Sequence, residues 1–318
     1  MILCFGTSPT LQRTMIFDGG VVAGDVNRTT SVHDFASGKP MNAARVLHHI
    51  GRDVRLLVPL GGHRGQAYRE DVATTGVALE AIDVAPPTRQ CISVVDRRRR
   101  ETTELVEEPA PLDRDVGEQM LNRLGELLKQ TSVLVISGKL TPGLDEDLYL
   151  RAVMLAKGAD VPVVLDARRA PLSVALEAGP TVVKPNRREL SNTVGRPVDS
   201  QSALHEAMDQ LRQRGASWVV CTRGRDGSTL CGEQEGRVRF WDISTPHVEA
   251  VSPIGSGDAF AAGLAAGLSE DVDVPEACRF ASACGAANAA TASAGHLDPA
   301  VAQRLLQQVQ VREIGKAS

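Results

Sequence analysis

No run in the 318-residue chain approaches the ~20 apolar residues that a membrane helix needs. The opening "MILCFGTSPT" has neither a basic n-region nor a long apolar h-region, so it does not read as a signal peptide, and a cytoplasmic location is expected. Cysteine pairs at metal or redox spacing are missing too. The six cysteines (Cys4, Cys91, Cys221, Cys231, Cys278, Cys284) are scattered, with no C-x-x-C. Several sit in apolar runs, which suits buried thiols in a reducing compartment rather than disulfides or a metal site. There is no G-x-x-x-x-G-K-[ST] loop, and no strand is followed by G-x-G-x-x-G, which leaves a dinucleotide oxidoreductase a distant reading. A net charge of -4 gives no sign of a nucleic-acid surface. The one basic run, "DRRRRE" (96–101), is flanked by acids and reads as a solvated turn. No fixed-period repeat or low-complexity tract is evident.

What is present is ordinary for a globular α/β protein: 42% hydrophobic and 23% charged residues. Short apolar runs read as strands: "ILCFG", "VRLLVPL" (54–60), "SVLVIS" (132–137), "VPVVLDA" (161–167), "TVVKP" (181–185) and "SWVVCT" (217–222). Amphipathic stretches such as "MNAARVLHHIG", "GEQMLNRLGELLKQ" and "SALHEAMDQLRQRG" lie between them. Continuous apolar strands separated by helices predict a mostly parallel sheet covered on both faces. From about residue 256 the pattern is helical, over 256–268, 274–292 and 298–309. Residues 10–35 and 89–108 break the alternation. They read as hairpins that leave the main sheet and form a small second one. In open α/β sheets ligands sit beyond the carboxyl ends of the strands. The polar loops "SGKLTPG", "DARR", "KPNRRE" and "TRGRDG" fall there and predict a wide polar crevice.

The run "IGSGDAFAAGLAAGL" (254–268) carries the chemistry. Small residues at a helix start let backbone N–H groups approach an anion, and the helix dipole adds positive potential. Gly255, Ser256 and Gly257 can therefore hold an oxyanion or a phosphoryl group in transit. Asp258 stands in the first turn, where the dipole should keep it ionised and ready to take a proton from a hydroxyl. A base beside an anion hole suits phosphoryl transfer. On these residues alone, an acid that merely caps a buried helix is the competing reading. The Ala- and Gly-rich helix behind it reads as close-packed core that fixes Asp258 in place. "GGHRGQAY" (61–68) reads as a strand-to-helix turn at the rim rather than a phosphate loop.

Taken together, the motifs resemble the ribokinase-like (PfkB) carbohydrate kinases. "IGSGDAFAAGL" resembles that family's G-A-G-D signature, and "ASGKPMNAARVLHHIG" (36–51) its G-G-K-G-x-N-x-A signature. "VVKPNRREL" (182–190) resembles K-P-N-x-x-E, "SGKLTPGL" (137–144) resembles S-G-S-L-P-P-G, and "TRGRDG" (222–227) the strand-loop before the nucleotide pocket. Order and spacing fit over nearly the whole chain. The K-P-N-x-x-E segment and "VNRTTSV…SGKPMNAARVL" point to the branch of 1-phosphofructokinase and tagatose-6-phosphate kinase. The resemblance implies one ribokinase-like three-layer α/β/α domain over 1–318, with a β-sheet lid from about 10–35 and 89–108. It implies ATP as donor, Mg²⁺, and a homodimer formed through the lids. Carried over residue by residue, Asp258 is the catalytic base, and the amides of Gly255, Ser256 and Gly257 form the anion hole. Lys184, Asn186, Thr222, Gly224, Gly227 and Asn288 meet ATP, and Glu189 helps hold Mg²⁺ through water. Gln12, Gly38, Lys39 and Asn42 contact the sugar. Lys39, Arg89 and Lys139 fall where this branch meets the acceptor's existing phosphate, and a dianion calls for such donors.

Several positions depart from the pattern. Ser8 and Gln12 stand where the branch has Asn and the Asp of N-P-A-x-D; an amide donates as well as accepts. Pro40 follows Lys39, Lys139 replaces a Ser, Pro253 replaces a Thr, and Ser256 replaces an Ala with its backbone N–H left available. The leading expectation is a kinase of tagatose 6-phosphate or fructose 1-phosphate. The alternatives are a kinase of another sugar, polyol or nucleoside, and a sugar-phosphate-binding relative with weakened turnover.

Overall fold

The structure, a computed structural model, describes residues 1–315. In chain order the first half holds β1 (Ile2–Phe5), β2 (Thr10–Phe17), β3 (Ser31–Ser37), α1 (Lys39–His49), β4 (Val54–Leu60), α2 (Gly62–Thr75), β5 (Ala78–Asp83), β6 (Arg89–Asp96), β7 (Glu101–Val106), α3 (Arg114–Leu128) and β8 (Val133–Ser137). There follow α4 (Leu148–Gly158), β9 (Val163–Asp166), α5 (Arg169–Ala175), β10 (Val182–Val183), α6 (Arg187–Val194), α7 (Gln201–Gln213) and β11 (Trp218–Thr222). The chain continues through β12 (Ser228–Gln234), β13 (Arg237–Ile243), α8 (Ser256–Leu268), α9 (Val274–Ala289), α10 (Pro299–Leu306) and β14 (Val311–Ile314).

Every strand expected from an apolar run is present. The main sheet has ten strands in the order β14-β13-β12-β11-β10-β9-β8-β1-β4-β5. From β5 to β11 the pairing is parallel; β12, β13 and β14 extend the sheet antiparallel. Successive side chains of a strand alternate in direction, and two core layers result. One packs the sheet against α1, α8, α9 and α10, the other against α3, α4, α5 and α7. All six cysteines are free and buried, Cys91 in a second, four-stranded sheet. The periodicity missed β12 and β13; they turn at Glu235 and Gly236, which both take positive φ, as a two-residue hairpin loop requires. Edge strands β5 and β14 carry charged, half-exposed residues and little apolar signal.

The two irregular regions form a separate four-stranded sheet, β3-β2-β6-β7. Each hairpin is antiparallel, and β2 pairs with β6 in parallel to join them. The "RRRR" run is the exposed tip of the β6–β7 hairpin. Gly61 opens α2 but is walled in: a Cβ there would lie 2.2 Å from Pro86 O, so this turn is rim structure.

The chain runs from β1 outward through β4 to β5, and then restarts at β8 on β1's other side. That reversal marks the place where an open α/β sheet leaves a crevice at its carboxyl edge. Helix α8 begins there, held by α9 at close range. A Cβ on Gly263 would come within 2.8 Å of Ala281 Cα, so only glycine permits this approach.

Candidate functional site

Two helices and two strands end at the crevice. Gly38 (φ 100°) opens α1 and Gly255 (φ 84°) opens α8, both in conformations that favour glycine. Strand β9 ends on Asp166, and Lys184 follows β10. Asp166 is 1% exposed and lies between two ammonium groups: Lys39 Nζ at 3.0 Å and Lys184 Nζ at 3.2 Å. Burial works against the Asp166 charge, but Lys184 and Lys39 outweigh it and hold the carboxyl below its usual range. Burial likewise works against charge on Lys39. Asp166, Asp258 and Glu189 more than offset it and raise its pKa above the ordinary lysine value. Asp166 was not among the residues singled out in the sequence. Its signal was there in "VPVVLDARR": an acid at the carboxyl end of an apolar strand.

Lys39 was expected to join Arg89 and Lys139 around an acceptor phosphate. In the structure its ammonium lies against Asp166, since a buried carboxylate needs a paired cation. Lys184 also borders α8, where a Cβ on Gly257 would lie 3.5 Å from its Nζ.

Asp258 sits in the first turn of α8, 7% exposed. Asn42 Nδ2 donates to Asp258 Oδ2 at 2.8 Å, and Ser37 Oγ donates to Asn42 Oδ1 at 3.0 Å. Asn42 is therefore oriented by the last residue of β3 and braces the acid. The dipole was expected to keep Asp258 ionised, but burial pushes its pKa up to about 6. Lys39, Asn42 and Lys184 pull it down, while Asp166 adds to the rise. Near neutral pH such a group is mostly ionised yet basic enough to take a proton.

One expectation at the loop before α8 needs correction. The Ser256 N–H donates to Pro253 O at 3.3 Å, closing a turn, so it is not left available. Asn288, expected near an adenine, is fully buried. Its Nδ2 donates to Ile254 O at 2.9 Å, and its Oδ1 accepts from Gly295 N at 2.9 Å. It ties this loop to residue 295, and a Cβ on Gly255 would collide with Ala294 and Gly295.

On the side of the small sheet, Arg89 Nη1 donates to Glu107 O at 3.1 Å. Lys139 pairs with the exposed Glu108. Lys139, then Arg89 and Arg168, hold the Glu108 carboxyl below its usual range. Glu108 thus pairs with Lys139 and also feels the charge of Arg89. Buried Ser8 Oγ and Arg89 Nε have no protein partner and line one small cavity with Thr7, Thr88 and Thr141. Gln12 Nε2 donates to Ser93 Oγ at 2.8 Å, and Ser93 in turn to Glu104. One of the two Gln12 amide N–H groups is used within the small sheet.

On the other side, Asn186 and Glu189 cap α6 reciprocally: Glu189 N donates to Asn186 Oδ1 at 2.9 Å, and Asn186 N to Glu189 Oε2 at 3.0 Å. An isolated parallel bridge joins Asn186 to Thr222. Gly224 (φ 64°) and Gly227 (φ 85°) shape the loop after β11, and Arg223 N donates to Gly227 O at 2.8 Å. Among the described residues no three His, Cys, Asp or Glu side chains gather as a metal cage. Mg²⁺ needs no cage, since it keeps several waters and takes one or two carboxylates plus phosphate oxygens. Asp166, Asp258 and Glu189 each lie near enough to Lys39 to favour its charge.

The model of the pfkB family of carbohydrate kinases matches residues 2–300. Tagatose-6-phosphate kinase of Staphylococcus epidermidis is 31% identical over 292 residues, covering 91% of this chain and 92% of that one. The fold is shared with phosphofructokinase-2 from Escherichia coli in complex with potassium, with a TM-score of 0.89 and 24% identity over 97% of this chain and 99% of that one. It is also shared with a possible 1-phosphofructokinase from Thermotoga maritima, with a TM-score of 0.86 and 18% identity over 99% and 100% of the two chains. The chain belongs to the pfkB family of carbohydrate kinases and is a sugar-phosphate kinase.

Proposed function

We propose that the protein transfers the terminal phosphoryl group of ATP to a hydroxyl of a ketohexose phosphate, tagatose 6-phosphate or fructose 1-phosphate, with Asp258 as general base. The observation that carries this is the Asp258 carboxylate at the start of α8, steadied by Asn42 and flanked by the Lys39–Asp166–Lys184 group. The acceptor oxygen attacks the terminal phosphorus while its proton passes to Asp258, and the bond to the bridging oxygen breaks to release ADP. Backbone amides at Gly255 and Gly257, with Lys184, stabilise the charge on the phosphoryl oxygens in transit. Mg²⁺, when bound, neutralises donor phosphate charge, and Glu189 and Asp166 are the residues placed to hold it through water. Thr222, Gly224 and Gly227 take the nucleotide. Arg89 and Lys139 take the acceptor's phosphate, which displaces the Glu108 carboxylate. Gly38 and Gln12 border the sugar.

We read the whole chain as one kinase domain and its four-stranded sheet as the lid. Exposed Val32, Leu105 and Val106 near the lid's edges suit pairing with a second lid in a homodimer. No helix among the described residues is long and apolar enough to cross a membrane. The buried free thiols suit a reducing cytoplasm.

Glu108 also supports a second reading. An internal anion already pairs with Lys139 and lies in the field of Arg89, as suits a kinase of an unphosphorylated sugar or polyol. A panel of tagatose 6-phosphate, fructose 1-phosphate, fructose 6-phosphate and neutral sugars, with ATP consumption as readout, separates the two. Turnover on a phosphorylated ketohexose is expected. Turnover on neutral acceptors alone would transfer the assignment to the second reading. Sugar-phosphate binding by calorimetry without transfer would mark a relative that binds and does not catalyse.

A further inference from the structure

Strand alternation builds a second concavity behind the crevice. On β11 to β14, Val220, Leu230, Trp241 and Ile243 belong to the core layer shared with α8 and α9. Cys221, Cys231 and Phe240 belong to the layer shared with α7. Arg223, Thr229 and Asp242 have the parity of the second set, and so does Arg312, two residues from Ile314 in that layer. With Arg187 and Gln201, the first residues of α6 and α7, they line a cavity of about 260 Å³. Thr222 and Arg223 are consecutive, as are Asn186 and Arg187. In each pair one residue is expected at the crevice and the next lines this rear cavity.

The wall is cationic. Three guanidinium groups meet one carboxylate, Asp242. Arg223 Nη2 donates to Asp242 Oδ1 at 2.5 Å, while Arg223 Nε is buried with no protein partner. No second acid in the wall answers Arg187 or Arg312. Guanidinium forks match phosphate oxygens bidentately, and the N-terminal ends of α6 and α7 add positive potential. The wall has no aromatic side chain on which a base could stack.

We propose that this cavity is a second anion site, on the face of the sheet opposite Asp258, that takes the phosphate group of a small phosphorylated molecule. Arg223 places it one residue from the loop 224–227. The test is calorimetric titration of inorganic phosphate, pyrophosphate and AMP into the full chain and into Arg187→Ala/Arg312→Ala. These anions also meet Lys39, Lys184, Arg89 and Lys139 in the crevice, so the readout is the binding component that differs between the two proteins. One component should weaken at least tenfold in the double variant for at least one probe, with crevice binding unchanged. Inorganic phosphate alone showing this would identify the free ion as the source, whereas AMP sharing it would identify a phosphate monoester. If the double variant does not fold, Arg312→Glu, an exposed position on β14, takes its place with the same expectation. Equal binding by parent and variant for all three probes, or no binding at all, would overturn the proposal. The result does not depend on the identity of the acceptor or on turnover.

Discussion

Asn42→Ala should move the acid limb of the pH profile upward. In the parent protein the Asp258 pKa lies at about 6, raised by burial and held from rising further by Lys39, Asn42 and Lys184. The Asn42 bond is 2.8 Å long and shielded from water, with Asn42 itself 6% exposed. A hydrogen bond to a charged group contributes about 1.5–3 kcal/mol. At about 1.4 kcal/mol per pKa unit, its loss should raise the Asp258 pKa by roughly one to two units. Below its pKa the carboxyl is protonated and cannot accept the hydroxyl proton, so kcat/KM rises as pH passes that value. The limb should therefore move from about 6 to between about 7 and 8. The assay is kcat/KM against pH for the free enzyme, with ATP saturating and the sugar phosphate varied. Poorer acceptor binding would lower the whole profile without shifting its limb. Ser37→Ala, which frees the Asn42 carbonyl but keeps its N–H on Asp258, should shift the limb by less. A limb in Asn42→Ala within about 0.3 unit of the parent's would refute the claim that this amide sets the ionisation of Asp258 or that Asp258 is the base.

Asp258→Asn should lower kcat by ~10²–10⁴, the range for a lost general base, while nucleotide binding measured by calorimetry stays near the parent value. The same variant should gain stability at high pH. A buried acid with a raised pKa contributes stability that is fully present below about pH 4 and lost as pH rises through about 6, so the gain in Tm should be larger at pH 8 than at pH 5. Arg89→Ala should raise the KM for the sugar phosphate at least tenfold. Glu108→Gln, which removes the competing internal anion, should lower it; an unchanged KM in both variants would take the phosphate away from this cluster. Gly263→Val should overpack the α8–α9 contact at a cost of about 1–3 kcal/mol, lowering Tm with the acid limb unmoved in whatever enzyme remains folded.

The legible part of this protein is the part carried by near neighbours along the chain. Apolar strands of four to seven residues separated by amphipathic helices already implied the parallel sheet. Gly255 before a small-residue helix implied an acid at an amide-lined turn. Spacing of two along a strand and of three or four along a helix is a local property, and so is the conformation a glycine allows. What tertiary structure alone decided is the electrostatics. The helix dipole predicts an Asp258 more acidic than usual; burial makes it less so. The groups that restrain that rise arrive from α1 and from the end of β10, Asn42 from 216 residues away. Asp166 is one acid among 39 acidic residues in the sequence and becomes a buried bridge only when β9, β10 and α1 meet. Gln12 and Glu108 have partners set by strand register and loop closure. Coulomb and desolvation energies depend on distance through space and on the water excluded, and neither is written in the order of residues.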